Sequence, residues 1–304
     1  MSIESLNKRF SNPHVRFRQH EALVMVDLEN DHGQASLTTF GATLLSYRPR
    51  GGEDLLWVSE TALYDGKKPV RGGVPVCWPW FGAYDPAALG ADPSDAHKKG
   101  HGVARYALWD VESVETVGDA TQVVFVLRPD DEIRKAWPLD FVLRLKVSLG
   151  QSLEMTLVGE NLSDRDWQVS EAFHTYFSVA DAEGLVVRGL DGAPRVDKLS
   201  GGARGVQAGE VRMSTPMEQV FLGHGGPLVI EDRGNGREIV IERENSASSV
   251  LWNPGPEGVK AFADMPDDQY RKTVCVEVAN ALEDAYALKA GASHSMRMRL
   301  SVGD

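Results

Sequence analysis

One histidine of the chain, His174, lies in a stretch whose other residues favour a half-buried β-strand, Ser-Glu-Ala-Phe-His-Thr-Tyr-Phe at positions 170–177. An imidazole changes charge near neutral pH, so on a rigid strand it suits a general acid or base. Side-chain alternation predicts that His174 shares one strand face with Ser170 and Tyr176. Glu171 falls on the other face and is therefore not a catalytic candidate. A core histidine that bonds a neighbouring carbonyl is the alternative, which this stretch alone leaves open.

A carboxylate that could complement this imidazole lies in Thr-Val-Cys-Val-Glu-Val-Ala, at positions 273–279. The three valines alternate with other residues, so Glu277 is predicted to share a strand face with Thr273, Cys275 and Ala279. Among such small neighbours a carboxylate can be partly desolvated, which raises its pKa and makes it a stronger base. A glutamate exposed to solvent on an open sheet is the alternative.

The segment Arg-Gly-Gly-Val-Pro-Val-Cys-Trp-Pro-Trp-Phe-Gly, at positions 71–82, has the least random composition of the chain. Its glycines allow close approach of the backbone to a ligand, and its aromatic rings offer flat surfaces of the kind on which sugars stack. Arg71 can grip a phosphate or carboxylate with its planar guanidinium. A proline-rich turn packed under a sheet, with Arg71 in an ordinary ion pair, is an equally good interpretation of this segment alone.

A second basic segment, His-Gly-Val-Ala-Arg, contributes His101 and Arg105, and Lys98 and Lys99 precede it closely. The chain has a formal net charge of −12 at pH 7, so an anionic substrate needs a local cluster of cations to overcome the overall repulsion. Together with Arg71, these residues form one such cluster. For the two lysines taken singly, an ordinary solvated loop is the favoured interpretation.

The elements that must position these residues are short alternating segments, separated by clusters of Gly, Pro, Asn and Asp. Only Glu60–Tyr64 and Asp267–Arg271 suggest a helical turn, and Tyr84–Gly100 and Asp191–Gly209 are predicted to be long loops. Asn235-Gly236 predicts a hairpin turn. The predicted strands are Leu23–Leu28, Ala35–Phe40, Leu55–Val58, Tyr106–Val114, Gln122–Leu127, Phe141–Leu149, Leu153–Glu160, Trp167–Phe177, Leu185–Leu190, Leu228–Glu231, Glu238–Glu242, Ser248–Trp252, Val274–Ala279 and Ser293–Val302.

Many strands without intervening helices predict an all-β sandwich or barrel and not a parallel α/β sheet. No Pro/Ser-rich linker divides the 304 residues, so we expect a single domain over 1–304. The negative net charge argues against nucleic-acid or anionic-membrane partners. No apolar run approaches the roughly 20 residues that cross a bilayer.

Two cysteines, Cys77 and Cys275, are too few for a disulfide framework and fit a reducing compartment. The first ten residues lack the apolar core of a signal peptide, so we expect a cytoplasmic protein. The chain has no Gly-rich phosphate loop, no Gly-x-Ser-x-Gly motif and no Cys/His metal set, which argues against nucleotide, serine-nucleophile and metal chemistry.

Taken together and in order, six short motifs resemble those of the hexose-6-phosphate mutarotases, the glucose-6-phosphate 1-epimerases of the aldose 1-epimerase group. They are Arg71-Gly-Gly-Val-Pro, Trp78-Pro-Trp-Phe-Gly, His101-Gly-x-Ala-Arg, His174-Thr-Tyr-Phe, Trp252-Asn-Pro and Cys275-Val-Glu. The resemblance implies a large antiparallel β sandwich of the galactose mutarotase-like kind, with the substrate on a concave sheet face and no metal or organic cofactor. It also implies that His174 is the general acid and Glu277 the general base.

The same resemblance implies that Arg71 and Arg105 help to bind a sugar phosphate and that His101 lines the sugar site. Asp197 falls where the family carries a sugar-binding Asp. Ahead of it this chain has Ala193-Pro-Arg-Val, where the family carries an aromatic residue, and the loop Tyr84–Lys99 is longer than in the family.

We therefore expect a monomeric, cytoplasmic hexose-6-phosphate 1-epimerase that interconverts α and β anomers by acid/base ring opening. An epimerase of a neutral aldose shares the acid/base pair but does not need the arginines. A sugar-phosphate binding protein without catalysis is a third possibility, because fold does not fix function. A glycoside hydrolase needs a second well-placed carboxylate, for which the chain offers no clear candidate.

Overall fold

The computed structural model describes residues 2–85 and 99–303, which form antiparallel sheets with few and short helices. The helices are Ile3–Arg9, Asp131–Ala136 and Gly255–Gly258, with 3₁₀ turns at Ala104–Tyr106, Arg233–Asn235, Val259–Ala261, Gln269–Lys272 and Leu282–Asp284. None of the helices in the described ranges is long and apolar enough to span a membrane. The strands in chain order are β1 (Val15–His20), β2 (Leu23–Asn30), β3 (Gly33–Thr38), β4 (Leu44–Pro49), β5 (Val76–Cys77), β6 (Asp110–Val117), β7 (Ala120–Leu127), β8 (Phe141–Leu149), β9 (Leu153–Asn161), β10 (Trp167–Val169), β11 (Glu171–Phe173), β12 (Tyr176–Ser178), β13 (Val186–Arg188), β14 (Pro194–Asp197), β15 (Ala203–Val206), β16 (Val211–Arg212), β17 (Met217–Phe221), β18 (Leu228–Asp232), β19 (Arg237–Glu244), β20 (Ser248–Asn253), β21 (Thr273–Asn280), β22 (Tyr286–Leu288) and β23 (Ser293–Gly303).

Two large sheets build a sandwich. One has nine strands in the order β16-β13-β18-β19-β23-β9-β8-β7-β6. The other has eight strands: β15-β14-β17-β20-β21-β11-β5 form its path, and β12 also pairs with β21. Strands β1 to β4 form a separate four-stranded sheet, and β10 pairs with β22.

The core lies between the two large sheets. On β21, Val274, Val276 and Val278 are fully buried and belong to the same apolar cluster as Met298 and Leu300 of β23. Because side chains alternate along a strand, the remaining residues of β21 point away from this core. The predicted faces of this segment are therefore confirmed, with Glu277 on the side opposite the valines.

The single strand predicted for Trp167–Phe177 is wrong, because the segment forms three short strands, β10, β11 and β12. The backbone N–H of His174 bonds Pro75 O instead of β21, and that of Thr175 bonds Phe173 O, so the ladder with β21 is interrupted. The register is nevertheless the same on both sides of the gap, since Phe173 pairs with Val278 and Tyr176 with Cys275. His174 consequently stands opposite Glu277.

The predicted loop Asp191–Gly209 is also wrong, since it contains β14 and β15 as an antiparallel hairpin. Both strands have only four residues, and their Gly and charged residues hide the alternation. The hairpin predicted at Asn235-Gly236 is confirmed, as it joins β18 to β19 with Gly236 at φ +63°. Most of the predicted loop Tyr84–Gly100 lies outside the described residues.

Other differences concern short elements. Leu55–Val58 makes isolated bridges only, and Glu60–Tyr64 is not helical. Tyr106–Val114 begins as the end of a 3₁₀ turn and becomes a strand at Asp110, while Asp267–Arg271 overlaps the 3₁₀ turn Gln269–Lys272. The helices Ile3–Arg9 and Asp131–Ala136 were not predicted, because each is about two turns long and too short to show a helical period.

Gly102 holds the segment of His101 against the segment of Trp78. Its φ is +80°, and a Cβ added there would lie 2.0 Å from Trp78 O. That carbonyl accepts hydrogen bonds from the backbone N–H groups of Val103 and Ala104, while the N–H of His101 bonds Gly82 O. The close approach of these two backbones therefore requires a glycine.

We predict that Gly102→Ala lowers the free energy of unfolding by more than about 3 kcal/mol, because a steric clash adds to the left-handed conformation's own cost of about 1–2 kcal/mol. Gly118→Ala is the matched control: φ is +63° there, and an added Cβ meets nothing within 4 Å. Gly118→Ala should lower the free energy of unfolding only by the cost of the left-handed conformation, about 1–2 kcal/mol. Urea unfolding of both variants measures the difference. Equal decreases in the free energy of unfolding would show that the close contact with Trp78 does not add to the cost.

Candidate active site

A cavity of about 610 Å³ opens on the face of the eight-stranded sheet that points away from the core. It brings together five of the six site residues predicted from the sequence: Arg71, His101, Arg105, His174 and Glu277. Ser170 and Tyr176, predicted to lie on the strand face of His174, also line it. Residues separated by up to about 200 positions thus meet because short strands and the turns between them converge on one surface.

His174 and Glu277 form the centre of this cavity. Nε2 of His174 lies 3.6 Å from Oε1 of Glu277, and the two residues are only 8% and 1% exposed. Nδ1 of His174 and Oε2 of Glu277 are buried without a hydrogen-bond partner among the described residues. Buried polar atoms are normally bonded, so this pair is well suited to a ligand that brings hydroxyl groups.

Burial shifts the pKa values of Glu277 and His174 in opposite directions. The pKa of Glu277 is raised well above its usual value by burial, against the lowering effect of Arg105. The pKa of His174 is lowered well below its usual value by burial, and His101, Arg105 and Arg71 lower it further. Both shifts favour the form of the free pair in which the shared proton is on Glu277. A carboxylate facing an imidazolium contains the same number of protons, so the two forms differ only in where the proton is.

Aromatic rings surround the imidazole. Tyr176 stacks on His174 with ring centroids 4.9 Å apart and an interplanar angle of 11°. Trp252 meets the same imidazole edge-on at 6.3 Å, and His101 does so at 5.4 Å. Trp252 and Phe81 also line the cavity, which gives a hexose apolar ring surface to pack against.

His101 is unsuited to be the acid. Burial, together with Arg105 and Arg71, lowers its pKa to about 3, so the ring is neutral. The backbone N–H of Gly82 points at its Nδ1 at 3.3 Å, which leaves Nε2 as the protonated nitrogen. His101 can therefore donate one hydrogen bond to a sugar hydroxyl.

The two arginines differ in how they are held. Arg71 donates from Nε to Asp264 at 3.1 Å and from Nη1 to Tyr176 OH at 3.5 Å, and it packs on the ring of Phe262. Arg105 donates from Nη2 to Tyr106 OH at 3.0 Å. It has no carboxylate partner within the described parts of the chain, and its Nε is buried and unbonded there. A largely buried cation without a counter-charge is unfavourable, so an anionic ligand would stabilise Arg105.

Asp197 is the one predicted site residue that the structure does not bring into the cavity. Its carboxylate accepts from Ser200 N at 3.1 Å and Gln219 Nε2 at 3.3 Å. Val196 packs on the cavity side of the sheet with Val220, so alternation turns Asp197 to the other side. The neighbour of Asp197, Lys198, lines the cavity instead.

The cavity residues that sequence reasoning missed include Lys198, Glu218 and Leu282. Lys198 follows β14, which was predicted as loop, and Glu218 lies on β17, which was not predicted at all. The alternation of Met-Glu-Gln-Val-Phe at positions 217–221 is the pattern that could have revealed Glu218.

Ligand atoms of His174, Cys275 and Glu277 lie within 4.8 Å of one another, an arrangement that a Cys/His sequence pattern does not show. Burial raises the pKa of the Cys275 thiol well above its usual value, as it does for Glu277. A metal ion would have to displace both protons to bind there. The donors are therefore better suited to proton transfer than to metal binding.

A larger cavity, of about 780 Å³, lies near Leu108 and Ile133. Its described titratable lining consists of Lys99, Tyr106, Asp130, Glu132 and Lys135, with no histidine. Volume alone does not make it the better candidate for chemistry near neutral pH, because it lacks a group that titrates there.

Glu171 lies behind the cavity and not in it. It is 1% exposed, and its Oε1 lies 3.5 Å from Nε2 of His294. Burial raises its pKa from 4.5 to about 8, with a hydrogen bond from Tyr286 acting in the opposite direction and Asp284 in the same direction. The carboxyl is thus protonated in the folded protein at neutral pH.

Comparison with known proteins places this geometry in a family. Residues 24–301 match the family described as aldose 1-epimerase. A relative from Escherichia coli strain K12, provisionally named glucose-6-phosphate 1-epimerase, is 33% identical over 284 residues, covering 93% of this chain and 92% of the relative. A provisionally named mutarotase from Salmonella typhimurium has a similar solved structure, with TM-score 0.87, 28% identity and 99% of both chains covered.

The galactose 1-epimerase of Lactobacillus acidophilus is similar in fold, with TM-score 0.73 at 16% identity, and 95% of this chain and 98% of that one are covered. These likenesses confirm the predicted all-β class, a large antiparallel sandwich of the galactose mutarotase-like kind.

We predict that Glu171→Gln removes a pH dependence of stability. A carboxyl whose pKa is higher in the folded chain than in the unfolded chain destabilises the fold as pH rises from 4.5 to about 8. The slope reaches at most about 1.4 kcal/mol per pH unit. Unfolding free energies across this range should fall with pH in the wild type and stay flatter in Glu171→Gln. The exposed Glu115→Gln is the control, and identical slopes in all three proteins would contradict the assignment.

Proposed function

The chain belongs to the aldose 1-epimerase family and is an epimerase, and from that premise we propose that its substrate is a hexose 6-phosphate such as glucose 6-phosphate. The observation that carries the proposal is the position of Arg71 and Arg105 in the same cavity as His174 and Glu277. An acid/base pair explains epimerisation of any aldose, whereas two converging arginines are needed only for an anionic one. The provisional name of the Escherichia coli relative supports the same substrate.

In the proposed mechanism Glu277, as carboxylate, removes the proton of the C1 hydroxyl while His174, as imidazolium, protonates the ring oxygen. The ring C1–O bond breaks, and the hemiacetal opens to an aldehyde. Rotation about C1–C2 presents the other face of the carbonyl, and the ring closes with the roles of the two groups reversed. Both groups return to their starting protonation, so the cycle consumes no proton and needs no covalent intermediate.

The remaining cavity residues orient the sugar. Tyr176 and Trp252 pack against the ring, and His101 donates to a hydroxyl group. Arg71 and Arg105 hold the phosphate at the other end of the substrate, which fixes C1 relative to Glu277. A phosphorylated substrate also agrees with the cytoplasmic location predicted from the sequence.

We predict that Glu277→Gln and His174→Ala each reduce catalysed anomer exchange of glucose 6-phosphate by about 10²–10⁴-fold, the usual contribution of general acid/base catalysis. NMR exchange spectroscopy measures the exchange rate, after subtraction of the uncatalysed rate. Glu115→Gln serves as an exposed control of the same chemical change. Wild-type exchange in both cavity variants would rule out the His/Glu mechanism.

We also predict that kcat/KM for glucose 6-phosphate exceeds that for glucose by about 100-fold or more, since each hydrogen bond to a charged group contributes about 1.5–3 kcal/mol. The two sugars differ only in the phosphate, so each is the control for the other in the same exchange experiment. Equal values would favour the neutral-aldose alternative. Binding of glucose 6-phosphate without any exchange above buffer would favour a non-catalytic binding protein.

A further inference from the structure

We propose that an oxyanion held by Arg71 and Arg105 switches His174 and Glu277 into their active protonation state, so that the phosphate of the substrate raises turnover as well as affinity. The inference rests on the proposed function, because it gives the bound phosphate a second task. It further implies that free inorganic phosphate activates the enzyme toward a neutral hexose.

A second cavity provides room for the anion. It has a volume of about 360 Å³ and shares Arg71, Arg105 and Tyr176 with the catalytic cavity. Its lining adds three cations, Lys67, Lys68 and Lys99. The one carboxylate in its described lining is Asp264, which is already paired with Arg71. Five cations against one carboxylate form an anion site on a chain of net charge −12.

Arg71 is connected to the imidazole of His174 through one intervening ring. Nη1 of Arg71 lies 3.5 Å from Tyr176 OH, and the ring of Tyr176 stacks on His174 at 4.9 Å. On the other side, His101 lies 5.4 Å from His174. Of the charged and titratable groups around His174, the two arginines and His101 lower its pKa. Tyr176, Cys275 and Glu277 lie beside it, and Lys198 and Glu218 line the same cavity.

The cations act unequally on the two catalytic groups. Arg71, Arg105 and His101 all lower the pKa of His174, in addition to burial. Of these three, only Arg105 is among the groups that shift the pKa of Glu277. An anion bound by both arginines offsets two cations that act against the His174 imidazolium and one, Arg105, that favours the Glu277 carboxylate. The contribution of Arg71, which of the two catalytic groups acts on His174 alone, therefore sets the direction of the switch toward the imidazolium.

The resulting step moves one proton within the pair. The O–H bond of the Glu277 carboxyl breaks and an N–H bond forms on His174, across the 3.6 Å that separates Oε1 from Nε2. No proton is gained or lost overall. Glu277 then has the lone pair that a base needs, and His174 has the proton that an acid needs. A neutral hexose lacks the anion and leaves most of the enzyme with the proton on Glu277.

The first test measures anomer exchange of glucose by NMR at increasing inorganic phosphate, with chloride added to keep ionic strength constant. The enzyme-free rate at each phosphate concentration is subtracted, because phosphate itself catalyses the reaction. We expect a saturable rise of about tenfold or more, the change in imidazolium fraction for one unit of pKa. Glu277→Gln should show no such rise.

Two variants separate the charge effect from simple binding. Arg71→Met removes the cation and keeps an unbranched chain against Phe262, whose ring lies 4.6 Å from the guanidinium. We expect it to raise phosphate-free exchange of glucose about tenfold, to lose activation by phosphate and to lower exchange of glucose 6-phosphate. Lys99→Met should raise the phosphate concentration for half-activation without lowering the plateau. Lys289→Met, at an exposed ion pair with Asp166, is the control for loss of one positive charge.

The outcomes distinguish this inference from the function on which it rests. Exchange of glucose 6-phosphate without activation of glucose by phosphate would overturn the switch and leave the proposed substrate intact. A decrease of phosphate-free glucose exchange in Arg71→Met would likewise overturn it. Absence of exchange with glucose 6-phosphate in the wild type would overturn the proposed function itself.

Discussion

The antiparallel pairing of β21 with β11 and β12 is the constraint on which the site depends. It sets His174 opposite Glu277 in the strand register, although 102 positions separate them in the chain. All eight residues of β21 are buried, so the carboxyl of Glu277 projects from a strand that is packed along its whole length. The gap in the ladder at His174 leaves its ring close to Glu277 while its backbone bonds Pro75. These backbone contacts bring Nε2 of His174 to 3.6 Å from Oε1 of Glu277.

Burial that makes the pair reactive also creates an electrostatic problem. Desolvation favours the neutral forms of both groups, which is the wrong distribution for a reaction that needs a carboxylate and an imidazolium. The cations in the cavity oppose this for Glu277 and worsen it for His174. In the proposed switch, the phosphate of the substrate therefore does more than bind, because its charge changes the electrostatic field in which the pair exchanges its proton. The local cluster of cations on a chain of net charge −12 is consistent with this electrostatic role.

Alternation along single strands was enough to predict much of the chemistry. It assigned Glu277 to the face opposite the valines, grouped His174 with Tyr176 and excluded Glu171, and the structure agrees in each case. Alternation could not give the distance between His174 and Glu277, because the sequence of one strand does not show which distant strand it pairs with. Asp197, which the family resemblance implied as a sugar contact, lies outside the cavity, and Lys198 lines it instead. Alternation could not correct this, because the four-residue strand Pro194–Asp197 is too short and too rich in charge to show a period. The cluster of Arg71, Arg105 and Lys99 was predicted from the sequence, but the contribution of Lys67 and Lys68 was not, because these lysines meet the others only in the folded chain.

The site divides its tasks between rigid and variable parts of the fold. The proposed base lies on a buried central strand, and the proposed acid lies in the ladder gap beside it, whereas the arginines proposed to hold the phosphate come from the connecting segments 67–83 and 99–106. Strand positions are fixed by the sandwich core, so a change there disturbs both folding and chemistry. Within the connecting segments, Gly102 and Trp78 are fixed by close packing, whereas exposed residues such as Lys67 and Lys68 can be substituted with little effect on the core. An epimerase with this architecture can therefore change the sugar it accepts while the His/Glu pair stays where the strand register puts it.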